Sequence, residues 1–145
     1  MMVIIGSDHA GFAMKEIIKE YLSGLNYQFE DVGTFNEDSV DYPDFAKKVA
    51  KKVQNSNNFG ILICGTGLGM SMSANRFAGV RCALCHDAYT AEFARKHNNS
   101  NILAFGGRTT GVEIAKQMVY IFLNTSFEGG RHQRRVNKID TEGEE

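Results

Sequence analysis

Short apolar runs alternate along the chain with stretches whose apolar residues fall three and four apart. MVIIG (2–6) is a run short enough for one strand, and after it Met14, Ile17, Ile18, Tyr21, Leu22 and Leu25 mark one face of a helix that Gly24 ends. YQFEDV (27–32) is a weaker second strand. Pro43 then opens DFAKKVAKKVQ, where its missing N–H costs a first helical turn nothing, and Phe45, Val49 and Val53 form the buried line. FGILIC (59–64) predicts a third strand followed by a short helix through MSMSANRF. VRCALC (80–85) predicts a fourth, followed by AYTAEFARKHN, and NILAF (101–105) a fifth, followed by VEIAKQMVYIFLN.

This alternation is the mark of βαβ units around a parallel sheet. The expected fold class is α/β, one doubly wound domain around a parallel sheet. With 145 residues, no internal repeat and no low-complexity linker, one domain over 1–145 is expected. Its tail, from about 128 to 145, carries five basic side chains (Arg131, His132, Arg134, Arg135, Lys138), then turns acidic, and promises nothing to the core.

Composition narrows the function classes. A formal net charge of −1 gives no general attraction to nucleic acid or anionic membrane, so charge-based recognition must be local. The N-terminal run is too short and lacks the basic flank of a secretory signal, and no run reaches membrane-spanning length, so a cytoplasmic protein is expected. Three cysteines in such a chain are expected to be reduced thiols.

In open α/β sheets ligands bind beyond the carboxyl ends of the strands, where successive connections leave in opposite directions. If the second and third strands flank the first, two loops line that crevice: SDHAG and CGTGLG. They hold Asp8, His9, Cys64 and Thr66. Gly65, Gly67 and Gly69 allow a tight turn with backbone N–H groups facing a ligand, which suits an anion hole or merely a strand-to-helix turn. The spacing is neither the G-x-G-x-x-G of dinucleotide sites nor a P-loop, so no nucleotide cofactor is indicated. Met70 also stands where a cysteine phosphatase would carry arginine. Cys64, at a helix start that favours a thiolate, is then a base, with a packed sulfur as the bland alternative. Cys82 and Cys85 lie inside an apolar run, which makes their C-x-x-C spacing weak support for redox chemistry. His9, His86, His97 and His132 lack the spacing of a zinc site, so no metal is expected. His97 alone reads as a helix C-terminal cap. RHQRR suits a phosphate clamp better than a nucleic-acid surface, since no aromatic residues interleave it.

SDHAG, DYPDFA, ICGTGLGMSMSANRFAGVR, RKHNN, LAFGGR and EGGRHQRR, in that order, resemble the type B ribose-5-phosphate isomerase family, which also contains allose-6-phosphate and galactose-6-phosphate isomerases. The resemblance runs over residues 2–136. It implies a three-layer αβα Rossmann-like domain with a five-stranded parallel sheet of order 2-1-3-5-4, a homodimer that can pair into a tetramer, and cofactor-free interconversion of ribose 5-phosphate and ribulose 5-phosphate in the pentose phosphate pathway. It further implies Cys64 as the base, supported by Thr66, and the turn of Gly65, Thr66, Gly67, Leu68 and Gly69 as the donors that hold an enediolate oxygen. His97 matches the acid that opens the furanose ring and Asp8 the carboxylate beside the ring oxygens. Arg131 and Arg135 match the phosphate ligands, His9 assists near phosphate or ring, and Asn98 and Arg108 match further substrate contacts; Arg134 has no assigned role. The resemblance also implies that His97, Asn98 and the tail arginines serve the partner subunit's Cys64, with the tail packing on that partner and taking its order from the dimer. Where some members place a glutamate just inside the following helix, this chain has Met70. The rival readings are a hexose-6-phosphate isomerase, a non-catalytic sugar-phosphate binding module, and a thiol redox protein using Cys82 and Cys85.

Overall fold

The computed structural model describes residues 1–141 and 143. In chain order the elements are β1 (Val3–Ser7), α1 (Phe12–Gly24), β2 (Phe29–Asp31), α2 (Tyr42–Val53), β3 (Phe59–Cys64), α3 (Leu68–Ala74), β4 (Cys82–Leu84), α4 (Ala88–Lys96), β5 (Ile102–Gly106), α5 (Val112–Asn124) and α6 (Arg131–Ile139). The strands form one sheet in the order β2-β1-β3-β5-β4, and every pairing is parallel.

Strand side chains alternate between the two faces of the sheet, and each face finds its own layer of helices. Val3, Ile5, Ile61, Ile63, Leu103 and Phe105 pack against α1, α4 and α5. Ile4, Leu62, Cys64, Ile102 and Ala104 pack against α2 and α3. Both faces are covered, which is why the central strands read as unbroken apolar runs. Met70 is wholly buried in the second layer. Its role is packing, worth about 1.5–3 kcal/mol of burial.

β2 and β4 are shorter than their apolar runs predict. Each is an edge strand with one neighbour, and each keeps only three residues in register with it.

α4 begins with a reciprocal cap that the sequence reading passed over. The Asp87 carboxylate accepts from the Thr90 N–H at 2.8 Å, and Thr90 Oγ1 accepts from the Asp87 N–H at 3.3 Å.

The tail departs from expectation. It forms α6 within the same chain, with His132 and Val136 buried. It is tied down by the Glu128 N–H donated to the Lys96 carbonyl at 3.1 Å and by Arg81, whose Nη1 reaches both Asp140 carboxylate oxygens at 3.1 Å. The apolar pattern gave little warning because half of the buried pair is an imidazole. Residues 142, 144 and 145 of the predicted tail lie outside the described residues.

Candidate active site

α1 and α3 leave the adjacent strands β1 and β3 toward opposite layers. The carboxyl ends of these two strands therefore border an open crevice. The loops meet there directly: the Asp8 N–H donates to the Ile63 carbonyl at 3.2 Å.

Asp8 is buried, and its Oδ1 accepts from the Ala10 and Gly11 N–H groups, each at 3.0 Å. That clamp leaves Oδ2 without a hydrogen bond among the described residues. Beside it, His9 Nδ1 accepts the Val40 N–H at 3.2 Å. An accepting Nδ1 carries no proton, so the His9 donor is Nε2.

Val40 belongs to the segment that follows β2, whose start is held by a buried ion pair. Lys15 is fully buried with its Nζ on Asp31, and Lys19 reaches the same carboxylate at 2.8 Å. Burial alone would raise the Asp31 carboxyl, but the hydrogen bonds from Lys15 and Lys19 outweigh it and hold the group below the ordinary carboxylate range.

Cys64 is the last residue of β3 and 5% exposed. Its Sγ accepts the Gly67 N–H at 3.2 Å, a contact that a thiolate accepts more strongly than a thiol does. Thr66 Oγ1 accepts the Leu68 N–H at 3.3 Å, which fixes the outer side of the turn. Gly67 has φ +81°, and a Cβ there would lie 2.6 Å from Leu84 Cδ1 and 2.8 Å from the Phe105 carbonyl carbon. Gly67→Ala is therefore expected to strain the turn and move the N–H off the sulfur. The protein should lose about 1–3 kcal/mol in denaturant melts, and its activity should fall further than that destabilisation accounts for. Gly69 is needed for a different reason: the Tyr42 ring occupies the place of its missing side chain.

A third loop, after β5, closes over the second. The Gly107 N–H donates to the Cys64 carbonyl at 2.8 Å and the Arg108 N–H to the Gly65 carbonyl at 3.1 Å. The exposed Arg108 guanidinium lies along Gly65, one residue from the cysteine.

The structure thus brings together Asp8, His9, Cys64, Gly65, Thr66, Gly67, Leu68, Gly69 and Arg108 at the carboxyl ends of β1, β3 and β5. It places the other predicted residues elsewhere. His97 is the C-cap of α4, the helix that returns the chain to the amino end of β5. Asn98 follows it, exposed, and Arg131 and Arg135 lie one turn apart on the exposed face of α6. In one chain this second group sits at the opposite end of the sheet from Cys64.

The second group contains two residues that sequence reasoning did not connect to it. The His97 and His132 rings stack with centroids 4.1 Å apart and planes 14° apart, while Phe93 meets His97 edge-on at 4.7 Å. Glu128 Oε1 lies 3.6 Å from His97 Nε2 and 3.5 Å from His132 Nε2. The signal available was the i,i+4 spacing of Glu128 and His132. Burial pushes His132 below the ordinary histidine value, and the neighbouring His97 and Arg131 push it further.

His97, Glu128 and His132 also form the one group of metal-ligating side chains, among the described residues, whose donor atoms lie within 4.8 Å of one another. Near-parallel rings send their lone pairs side by side instead of converging on one ion. The arrangement suits two imidazoles sharing a carboxylate better than it suits a metal.

Two other places carry less chemistry. Cys82 and Cys85 are buried, and burial raises both thiols, Cys85 to about 11, so neither offers a thiolate near neutral pH. A cleft of about 790 Å³ lies between the end of α3, β4 and α6. Asn98 lines it, but Asp8, His9 and Cys64 do not, and its Arg81 is already engaged with Asn99 and Asp140.

Comparison with known proteins bears on the whole chain. The sequence model described as ribose/galactose isomerase matches residues 3–139. Ribose-5-phosphate isomerase B of Escherichia coli is 44% identical over 138 residues, covering 94% of this chain and 93% of its own. Among solved structures, a ribose 5-phosphate isomerase of Thermotoga maritima superposes with a TM-score of 0.93 at 54% identity, covering 96% of this chain and 97% of its own. The Mycoplasma genitalium ribose-5-phosphate isomerase B, solved with bound ribulose-5-phosphate, gives 0.92 at 44% identity, covering 97% and 96%.

Proposed function

The chain belongs to the ribose/galactose isomerase family, and from that premise we infer that it interconverts D-ribose 5-phosphate and D-ribulose 5-phosphate through an enediolate. The observation that carries the residue assignment is the Gly67 N–H on Cys64 Sγ, in a crevice bordered by Asp8, His9 and Arg108.

Cys64 takes the proton from C2 of the open-chain aldose and returns it to C1, with Thr66 bracing the turn around it. The negative charge that develops on the substrate oxygens is met by N–H groups of the turn from Gly65 to Gly69, Leu68 included. Preorganised donors of this kind are worth about 3 kcal/mol each. The reaction moves only protons within the substrate, so it calls for no electron acceptor.

Before this step the furanose must open. His97 supplies the proton to the ring oxygen and Asp8, through its uncommitted Oδ2, accepts from the sugar hydroxyl. Arg131 and Arg135 hold the phosphate, and His9, Asn98 and Arg108 complete the pocket. Since His97 and Cys64 lie at opposite ends of one sheet, two copies related by a twofold axis each complete the other's site. The tail then serves two bodies, packing on its own α4 and presenting Arg131 and Arg135 to the partner.

The test is a panel of phosphorylated aldoses. Ribose 5-phosphate is expected to show kcat/KM at least about tenfold above allose 6-phosphate, the usual scale for one extra carbon unit in a fitted pocket. The reverse order would assign the protein to the six-carbon branch. Binding of ribose 5-phosphate with no exchange of its carbon-bound hydrogen with solvent would make it a binding module instead.

A further inference from the structure

We propose that Glu128 and His132 are positioning residues for His97, holding its ring in one orientation and supplying the countercharge for its proton during ring opening. This deepens the proposed function and rests on His97 being the ring-opening acid. As the C-cap of α4, His97 lies where the helix no longer dictates side-chain direction. Its ring is instead defined on three sides: Phe93 from the preceding turn, the His132 face at 4.1 Å, and the Glu128 carboxylate at 3.6 Å.

The clamp is itself anchored. The Glu128 N–H is donated to the Lys96 carbonyl, next to His97 in sequence, and the His132 N–H to the Gly129 carbonyl. Two stacked imidazolium ions would repel at this spacing, so one carboxylate serves one proton. His132 is the more buried ring and is pushed toward its neutral form, which leaves the charge of Glu128 to His97. The other charged groups around the pair are Lys96 on α4, whose Nζ is paired with Glu92 on the same helix, and Arg131 and Arg135 on α6. With Glu92 taken up by Lys96, Glu128 is, among the described residues, the carboxylate that reaches the His97 ring.

Glu128→Gln tests this with little risk to folding, because the side chain is 48% exposed and the replacement is isosteric. Two readouts are needed: the pH profile of kcat for ribose 5-phosphate, and exchange of the carbon-bound hydrogen of ribulose 5-phosphate in D2O, which requires Cys64 but no ring opening. The variant is expected to lose about tenfold in kcat, a fraction of what a general acid supplies. Its alkaline limb should move to lower pH, while KM and the exchange rate stay within about twofold. His132→Gln should lower kcat without moving the exchange rate.

Unchanged kcat and pH profile in Glu128→Gln would overturn the proposal, and so would an equal fall in turnover and exchange. Cys64→Ala run beside them separates the two levels. If it remains active, the assignment of Cys64 as the base fails; if neither it nor the wild type turns over ribose 5-phosphate, the proposed function fails; if it is dead while Glu128→Gln is unaltered, only the positioning role fails.

Discussion

Cys64→Ala is expected to lower turnover of ribose 5-phosphate by about 10²–10⁴-fold, the range that a positioned proton-transfer group supplies. The protein should stay folded and should still bind the sugar phosphate. Both halves follow from where the residue sits. Its Sγ is the only side-chain atom lost, and its backbone remains locked between Ile63 and Gly65 by the β3–β5 register and the Gly107 N–H on its carbonyl. Removing one buried sulfur against α2 and α3 costs about 1 kcal/mol, a few degrees in the melting temperature of a domain this size. The phosphate ligands assigned above are remote from the sulfur, so affinity should survive. Melting with and without ribose 5-phosphate checks fold and binding, and a coupled assay checks turnover. Retained isomerisation would remove Cys64 from the mechanism, whatever happened to stability.

The legibility of this protein in its sequence divides along the same line as its chemistry. The strands and the crevice between β1 and β3 could be anticipated because burial on both faces leaves long apolar runs, and because loops carrying Asp8, His9 and Cys64 fall at strand ends; the sheet order followed from the family resemblance alone. Local geometry such as Gly67 at φ +81° follows from glycine spacing beside a strand. Contacts between distant segments were much harder to read. α6 packs through His132 and Val136, too few apolar positions among charged neighbours to mark a core-facing helix, and the stack on His97 joins residues 35 positions apart in sequence. The His9 contact with Val40 is of the same kind, a backbone donor reaching a ring across 31 positions. Periodicity reports which face of an element is buried. It does not report which two exposed loops will meet.

Mixing two inactive variants is expected to restore activity, and this result would bear most directly on how the site is assembled. Cys64 closes one end of β3, while His97 caps α4 at the opposite end of the sheet, so a single chain cannot apply both to one sugar. In a twofold dimer each site draws Cys64 from one copy and His97 from the other. Cys64→Ala and His97→Ala homodimers then both have two damaged sites. A heterodimer of the two places both lesions in one site and leaves the second site wild type. Random pairing makes about half of the dimers mixed, so the refolded or co-expressed mixture should recover about a quarter of wild-type kcat per protomer. Restored activity should also track the heterodimer fraction as the mixing ratio is varied. If each site were built within one chain, every site in the mixture would carry a lesion, and activity would stay at the average of the two parents. The Arg131→Ala variant should complement Cys64→Ala in the same way, because α6 travels with α4 through the Glu128–Lys96 backbone bond and the His97–His132 stack. Failure of His97→Ala to complement, with Arg131→Ala succeeding, would separate the phosphate clamp from the ring-opening acid and reassign His97 to its own chain.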